Sequence, residues 1–254
     1  MTVNLPGFKG GDRTSLDMPA EEETVLKAVK AVGKPLALVL MNGSALSVNW
    51  AAANTDAILE AWYPGEQGGA AIGRTLSGAS NPSGRLPVTF YTGVDQLPPF
   101  EDYAMKGRTY RYFAGKPLYP FGHGLSYTRF DYGRLKLSTT SLNAGEPLAV
   151  DVDVRNVGPV AGDEVAQLYL SYPDKPGAPL LALRAFSRLH LAAGESRRVH
   201  FDLSPRDLSS VDPSGDRTVA SGAYTITVGG GQPDDGAPTT RAGLTIIGSA
   251  GVAP

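Results

Sequence analysis

Carboxylates, histidines, a few hydroxyls and a set of aromatic rings are the side chains of this sequence with chemistry to offer. Glu21-Glu22-Glu23 is a run of three carboxylates, and Glu66 stands in a glycine-rich turn. Carboxyl groups of this kind can serve as general acid, general base or nucleophile. The run at 21–23 reads instead as a solvated helix start, where the helix dipole favours anions. Glu66 is open to either a catalytic or a structural reading. His123, His190 and His200 are scattered, with no H-x₃₋₅-H or HExxH spacing, so no metal site is expected. His190 and His200 sit in alternating segments and read as surface residues, whereas His123 reads as a backbone-bonding residue of a connector. Gly43-Ser44 and Ser83 lack the G-x-S-x-G elbow of a serine hydrolase. Gly229-Gly230-Gly231 lacks the lysine and following helix of a phosphate loop. There is no cysteine, so there is no thiolate nucleophile, thiolate ligand or disulfide. No cofactor is implied.

The elements that must position these groups change character near residue 125. Asp17-Met18-Pro19 supplies helix-start signals, with Asp able to cap and Pro suited to a first turn. Val25, Val29 and Val32 recur at helical spacing, with Leu26 beside them, and Gly33 ends the helix. Leu36 to Met41 is a continuous apolar run, the pattern of a parallel strand covered on both faces. Ala57 to Trp62 is a second strand, Gly68 to Leu76 a helix, and Arg85 to Tyr91 a strand behind the turn Asn81-Pro82-Ser83-Gly84. Such alternation argues for an α/β layer.

Residues 92 to 124 have little periodicity but carry seven aromatics between Phe100 and Phe121. A connector of that length and composition is expected to pack on the domains it joins. Its rings, Tyr103, Tyr110, Tyr112, Phe113, Tyr119 and Phe121, either line a sugar site or act as interdomain packing. Arg108 and Arg111 are expected to hold the loop through forked hydrogen bonds.

After residue 125 the period is two. Leu148 to Val154, Val165 to Leu170, Arg197 to Leu203, Ala223 to Val228 and Ala242 to Ile247 alternate, with turns at Asn143-Ala144-Gly145 and Ala193-Gly194-Glu195. Short strands at this spacing predict a β-sandwich of immunoglobulin or fibronectin III type, with Gly229 to Pro238 as a hairpin loop.

With 254 residues and 42% hydrophobic content, the chain has room for about two domains. Charged residues are 19% and the formal net charge is −2, so no field points to nucleic acid or an anionic membrane. The run Leu36 to Met41 is far short of the roughly 20 residues of a membrane span. Met1 to Gly7 has neither a basic n-region nor a long apolar stretch, so no signal peptide is read there. The chain reads as soluble: periplasmic or secreted if a longer parent chain carries a leader, otherwise cytoplasmic.

Four motifs carry a resemblance. Trp62-Tyr63-Pro64-Gly65-Glu66-Gln67-Gly68-Gly69 is similar to W-x-P-G-x-x-G-G, and Asn81-Pro82-Ser83-Gly84-Arg85-Leu86-Pro87-Val88-Thr89 to N-P-x-G-[KR]-L-P-x-T. Arg108-Thr109-Tyr110-Arg111-Tyr112-Phe113 contains Y-R-Y, and Pro120-Phe121-Gly122-His123-Gly124-Leu125-Ser126-Tyr127-Thr128 matches P-F-G-x-G-L-S-Y-T. In this order they resemble the C-terminal part of glycoside hydrolase family 3, of β-glucosidase or β-xylosidase type, over about residues 1 to 248. Asn42-Gly43-Ser44 and Pro98-Pro99-Phe100-Glu101-Asp102-Tyr103 lean toward its bacterial xylosidase/glucosidase-like group.

The resemblance implies an N-terminally truncated α/β layered domain over 1–91, an aromatic-rich connector over 92–124 and a fibronectin III-like β-sandwich over 125–248. It implies substrates with terminal, non-reducing β-D-glucosyl or β-D-xylosyl residues, hence β-linked gluco- or xylo-oligosaccharides, and no nucleic acid or membrane. Family members place a (β/α)₈ barrel with the nucleophilic aspartate before this region. Their acid/base glutamate lies in a G-E-x segment shortly before a G-D-R stretch. Here Gly11-Asp12-Arg13 is present and no glutamate lies between Met1 and Asp12, so no catalytic residue is carried over. A retaining glycosidase needs two carboxyls about 5–5.5 Å apart, and the chain alone is therefore expected to be inactive. Leu36 to Met41 is expected to lack one neighbouring strand, leaving an open apolar edge for a barrel-containing chain or a second copy. The other functional class is a non-catalytic carbohydrate-binding or subunit-association module.

Overall fold

The structure is a computed structural model that describes residues 14–173, 177–212 and 214–253. The Gly11-Asp12-Arg13 stretch lies outside the described residues. The chain forms two compact units, one from Met1–Ser80, Val88–Tyr103 and Gly115–Tyr119, the other from Asn81–Pro87, Ala104–Ala114 and Pro120–Pro254.

In the first unit, α1 spans Ala20–Lys30, β1 Ala37–Leu40, α2 Asn49–Asn54, β2 Ala57–Glu60 and α3 Gly68–Leu76. Glu21, Glu22 and Glu23 occupy the first turn of α1 and Lys27 and Lys30 the last, complementing the dipole at both ends. Gly33 then takes φ 76°, which ends the helix with no Cβ penalty. Strands β1 and β2 pair in parallel, Ala37 opposite Ala57 through Leu40 opposite Glu60. Met18, Leu26, Leu40, Leu46, Val48 and Ala51 form the core of this unit.

Three sequence expectations are corrected here. Asp17 does not cap α1: Pro19 holds the N-cap position with no side-chain cap, and the Asp17 carboxylate accepts from Ser15 Oγ at 2.6 Å. The run Leu36 to Met41 is not covered on both faces. Of β1 only Leu40 is buried, Met41 is 62% exposed, and Val25 and Val29 on α1 and Val32 just beyond it are exposed while Leu26 alone packs inward. Arg85 to Tyr91 is not a strand. Pro87 has no N–H to donate, and what remains is isolated bonding: Leu86 exchanges with His123 O (2.8 Å) and Gly122 N (2.7 Å), Phe90 N donates to Tyr119 O (2.9 Å), and Phe90 O accepts from Leu118 N (2.8 Å) and Tyr119 N (3.1 Å).

The second unit holds α4 at Thr109–Tyr112, then a run of strands: β3 Phe130–Tyr132, β4 Lys136–Leu137, β5 Ser141–Asn143, β6 Leu148–Asn156, β7 Gly162–Ser171, β8 Ala182–Leu191 and β9 Ser196–Leu203. After the turn α5, Pro205–Leu208, come β10 Ser210–Val211, β11 Arg217–Val219, β12 Gly222–Gly229, β13 Thr239–Ile247 and β14 Ala250–Gly251. One sheet has the order β5-β13-β12-β7-β8; the other places β6 between β9 on one side and β3 and β4 on the other. Strands β10, β11 and β14 form a small third sheet. In β6 the period-two pattern becomes burial directly, with Leu148, Val150, Val152 and Val154 at 1% exposure or less. They pack with Leu168, Leu170, Val199, Phe201, Ile226, Val228 and Leu244 in one core. This is the sandwich the alternation predicted.

Candidate site at the strand ends

Parallel strands deliver the segments that follow them to the same end of a sheet, where α/β layers bind ligands. Here those segments are Asn42-Gly43-Ser44 after β1 and Ala61 to Gln67 between β2 and α3. Glu60, the last residue of β2, is half-buried. Its Oε1 accepts the Trp62 backbone N–H at 3.0 Å, while Oε2 is buried with no hydrogen-bond partner. Burial holds the Glu60 carboxyl above the usual carboxylate range, against the bond from Trp62 that favours the charged form. Asn42 donates from Nδ2 to Ser44 O at 2.6 Å and leaves Oδ1 buried and unpartnered.

Trp62 takes φ 51°, a left-handed conformation that costs a bulky residue of order 1–3 kcal/mol and persists only where its surroundings impose it. The Glu60 bond and an edge-on contact with Phe90, ring centroids 6.1 Å apart, are what hold it. Phe90 in turn meets Tyr119 edge-on at 6.3 Å. A Cβ on Gly43 would fall 2.6 Å from the Tyr63 ring, so the Tyr63 ring, on a residue 81% exposed, lies directly over the Gly43 backbone. Gly68 likewise has no room for a side chain, Pro64 standing 2.6 Å from where its Cβ would be. The cluster thus presents an exposed ring, with the two unpartnered oxygens buried beneath the surface. A lone carboxyl does not supply the paired carboxyls of glycosidic cleavage.

The residues singled out from sequence fall differently. Glu66 is exposed; the carboxylate with a perturbed environment is Glu60, six residues earlier. Its signal was a glutamate closing a run of strand formers, which reads as a strand end and nothing more. Glu23 pairs with Lys27 at 2.5 Å on α1, and Glu21 and Glu22 are exposed. His190 contacts Asp163 at 2.6 Å, and His200 contacts Asp151 and Asp202 at 2.9 and 3.1 Å, all at the surface as expected. Among the described residues no three His, Asp or Glu side chains gather as metal ligands would, and no helix is long and apolar enough to cross a membrane.

The remaining motifs converge within the second unit. Asn81 donates to Ala161 O at 3.0 Å and accepts from Ser126 Oγ (2.9 Å) and Tyr127 N (2.8 Å), tying the N-P-S-G-R-L-P stretch to the G-L-S-Y-T stretch. Arg85 Nη2 meets Glu164 Oε2 at 2.6 Å, its Nε donates to Gly230 O at 3.1 Å, and Tyr132 OH donates to Glu164 Oε1 at 2.6 Å. Burial, then the Glu164 charge, pushes the Tyr132 hydroxyl well up. Tyr110 stacks on Phe121 at 4.3 Å and meets Tyr169 edge-on at 6.2 Å. Those connector rings pack; Tyr103, 79% exposed, does not. Arg111 forms no forked bond of the expected kind: its guanidinium lies over the Tyr112 ring with Nε buried and unpartnered, and it is its backbone carbonyl that accepts from Leu180 N at 2.7 Å.

Residues 2–127 match the glycosyl hydrolase family 3 C-terminal domain, and residues 164–232 match a fibronectin type III-like domain. The chain belongs to glycoside hydrolase family 3. Within that family it is 45% identical over 212 residues to a xylan 1,4-β-xylosidase of Xylanibacter ruminicola, covering 84% of this chain and 24% of the relative. It is 38% identical over 245 residues to a β-xylosidase of Formosa agariphila, covering 94% of this chain and 34% of the relative. Among solved structures, a β-glucosidase from Erythrobacter marinus superposes with a TM-score of 0.82 at 38% identity, over 96% of this chain and 32% of that one. The chain therefore spans about a quarter to a third of the length of the family 3 relatives it matches. The first match is to the family's C-terminal domain, and the fibronectin type III-like domain follows it in this chain.

Proposed function

We propose that this chain is the C-terminal portion of a retaining, exo-acting β-glycosidase that hydrolyses terminal β-D-glucosyl or β-D-xylosyl residues. The observation that carries the reading is the joint match of both units to β-xylosidase and β-glucosidase relatives of three to four times the length. In this reading the nucleophile and acid/base carboxyls come from outside these 254 residues, and the chain alone turns nothing over. Its own contribution is the strand-end surface around Glu60, Trp62 and Tyr63, where the exposed Tyr63 ring offers an aromatic face to a sugar. The partner is a barrel-containing chain, received on the apolar edge of β1 and α1. Among the described residues β1 hydrogen-bonds to β2 alone, while Val25, Val29 and Met41 stand exposed beside it.

The test is turnover of nitrophenyl β-xyloside and β-glucoside by the purified chain, then by the chain supplied in cis or in trans with a family 3 barrel domain. Activity only in the combined form is expected. Turnover by the chain alone that survives repurification would overturn the division of labour. Absence of turnover in every combination, with both parts folded, would overturn the glycosidase reading.

The second reading, a non-catalytic carbohydrate-binding module, is favoured by the exposed Tyr63 ring held over the Gly43 backbone. Saturable binding of xylobiose with no turnover in any combination would select it.

A further inference from the structure

The loop joining β12 to β13 walls a cavity of about 310 Å³ within the second unit. That volume lies at the small end of ligand sites, roughly 300–1,000 Å³. Pro120, Leu125 and Phe130 give it an apolar wall, and its polar lining is Arg85, His123, Ser126, Thr128, Arg129, Glu164, Gln232 and Asp235.

The loop is held before any ligand arrives. Gly230 O accepts from both Arg85 Nε (3.1 Å) and Gln167 Nε2 (3.0 Å), Gly230 N donates to Pro238 O (3.1 Å), and Gln232 Nε2 donates to Phe121 O (3.1 Å). Of its two neighbouring acids, Asp234 is engaged by Arg241 at 2.9 Å. Asp235 has no such partner among the described residues. Partial burial, and then the Asp234 charge, hold its carboxyl above the usual range. Burial and Arg85 hold the His123 imidazole below its usual range, so it is neutral at pH 7.

Charge balance narrows the occupant. The Arg85 and Glu164 charges cancel in their own pair, and Arg129 and Asp235 add one charge of each sign, so the formal charges of the lining sum to zero. An apolar wall facing hydroxyl acceptors and a neutral imidazole suits a molecule with one hydrocarbon face and a rim of hydroxyls.

We propose that this cavity binds a single neutral pyranose, Asp235 accepting from adjacent ring hydroxyls while Pro120, Leu125 and Phe130 take the ring's CH face. The proposal rests on the carbohydrate reading above and adds to it a sugar site in the fibronectin III-like unit, apart from the strand-end cluster.

The test is a titration of the full chain with methyl β-D-xyloside and methyl β-D-glucoside, followed by calorimetry and by NMR of the His123 ring. Wild type is expected to saturate with a dissociation constant of about 1 mM, the weak range of a small site. Asp235→Asn, which removes the charge but keeps the shape, should weaken binding about tenfold. Ala237→Trp, which fills the cavity, should abolish it and leave the His123 signals unmoved by sugar. No saturation by about 100 mM overturns the proposal, as does unchanged affinity in Asp235→Asn. If Ala237→Trp loses its cooperative melt, the Asp235→Asn arm decides alone. Failure here with turnover restored by the barrel domain sinks this site and leaves the glycosidase reading standing.

Discussion

Arg85 Nη2 lies 2.6 Å from Glu164 Oε2, and the two side chains are 10% and 3% exposed. The pair links a residue of the N-P-S-G-R-L-P motif to β7, 79 residues later, and the same carboxylate accepts from Tyr132. Arg85 also reaches Ser83 O, Gly84 O and Gly230 O, so nearly every donor of its fork is used. The arginine of this motif is therefore fixed by architecture within its own unit, and not by a ligand.

Removing one member of this pair leaves a buried charge without its counter-ion. Glu164→Leu or Arg85→Met is expected to cost about 3–5 kcal/mol of stability. The double substitution Arg85→Met with Glu164→Leu should cost much less than the two singles together, because the desolvation penalty goes with both charges. Urea denaturation of the four species, read as a double-mutant cycle, checks this. Single substitutions costing under about 1 kcal/mol would place the pair among exposed ion pairs.

Trp62 carries backbone strain that can be separated from its packing. Trp62→Ala and Trp62→Gly both lose the contact with Phe90, but only glycine takes φ 51° freely. The glycine variant should be the more stable of the two by about 1 kcal/mol. Equal midpoints in thermal or denaturant unfolding would show that the left-handed turn is relaxed in solution.

The open side of β1 predicts association. With Val25, Val29, Val32 and Met41 at 48–70% exposure around it, the purified chain should elute larger than a monomer and precipitate on concentration. Val25→Lys with Val29→Glu, both on exposed positions of α1, should shift it toward monomer without lowering its melting temperature. A monomeric, cooperatively melting wild type at high concentration would contradict this.

How much of this was legible depended on what each pattern demands. Alternation in β6 and β9 was readable because one face of each strand is fully buried and the other is polar, so the sequence has no freedom there. Strand β8 was read only as the alternating setting of His190 and given no bounds: it is the edge of its sheet, and Phe186 and Ser187 interrupt the rhythm in which Leu183, Leu189 and Leu191 alternate with Arg184, Arg188 and His190. Helix α1 was placed by its spacing and terminal charges, yet the same valines misled on burial, since periodicity reports which face is apolar and not what covers it. Arg85 to Tyr91 resembled a strand because Leu86, Val88 and Phe90 alternate, although Pro87 already argued against a ladder. The strand-end cluster was half visible. Glycines and prolines announced the turn at 62–69, but the half-buried carboxylate is Glu60, whose bond to the strained Trp62 spacing cannot foresee.

Two histidines should titrate in opposite directions. Asp151 and then Asp202 raise His200 above its usual value near 6.5, through contacts at 2.9 and 3.1 Å. Its favourable contribution is thus present in full below pH 6.5 and lost as pH rises through the folded value. His123 is lowered by burial and then by Arg85, so its contribution is present above pH 6.5 and lost as pH falls toward the folded value. NMR titration of the imidazole protons should place the His200 midpoint above 6.5 and that of His123 below it. Asp151→Asn with Asp202→Asn should return His200 to about 6.5 and leave His123 unmoved. Coincident midpoints in wild type would mean that neither the surface carboxylates nor the buried arginine acts on the rings as the distances require.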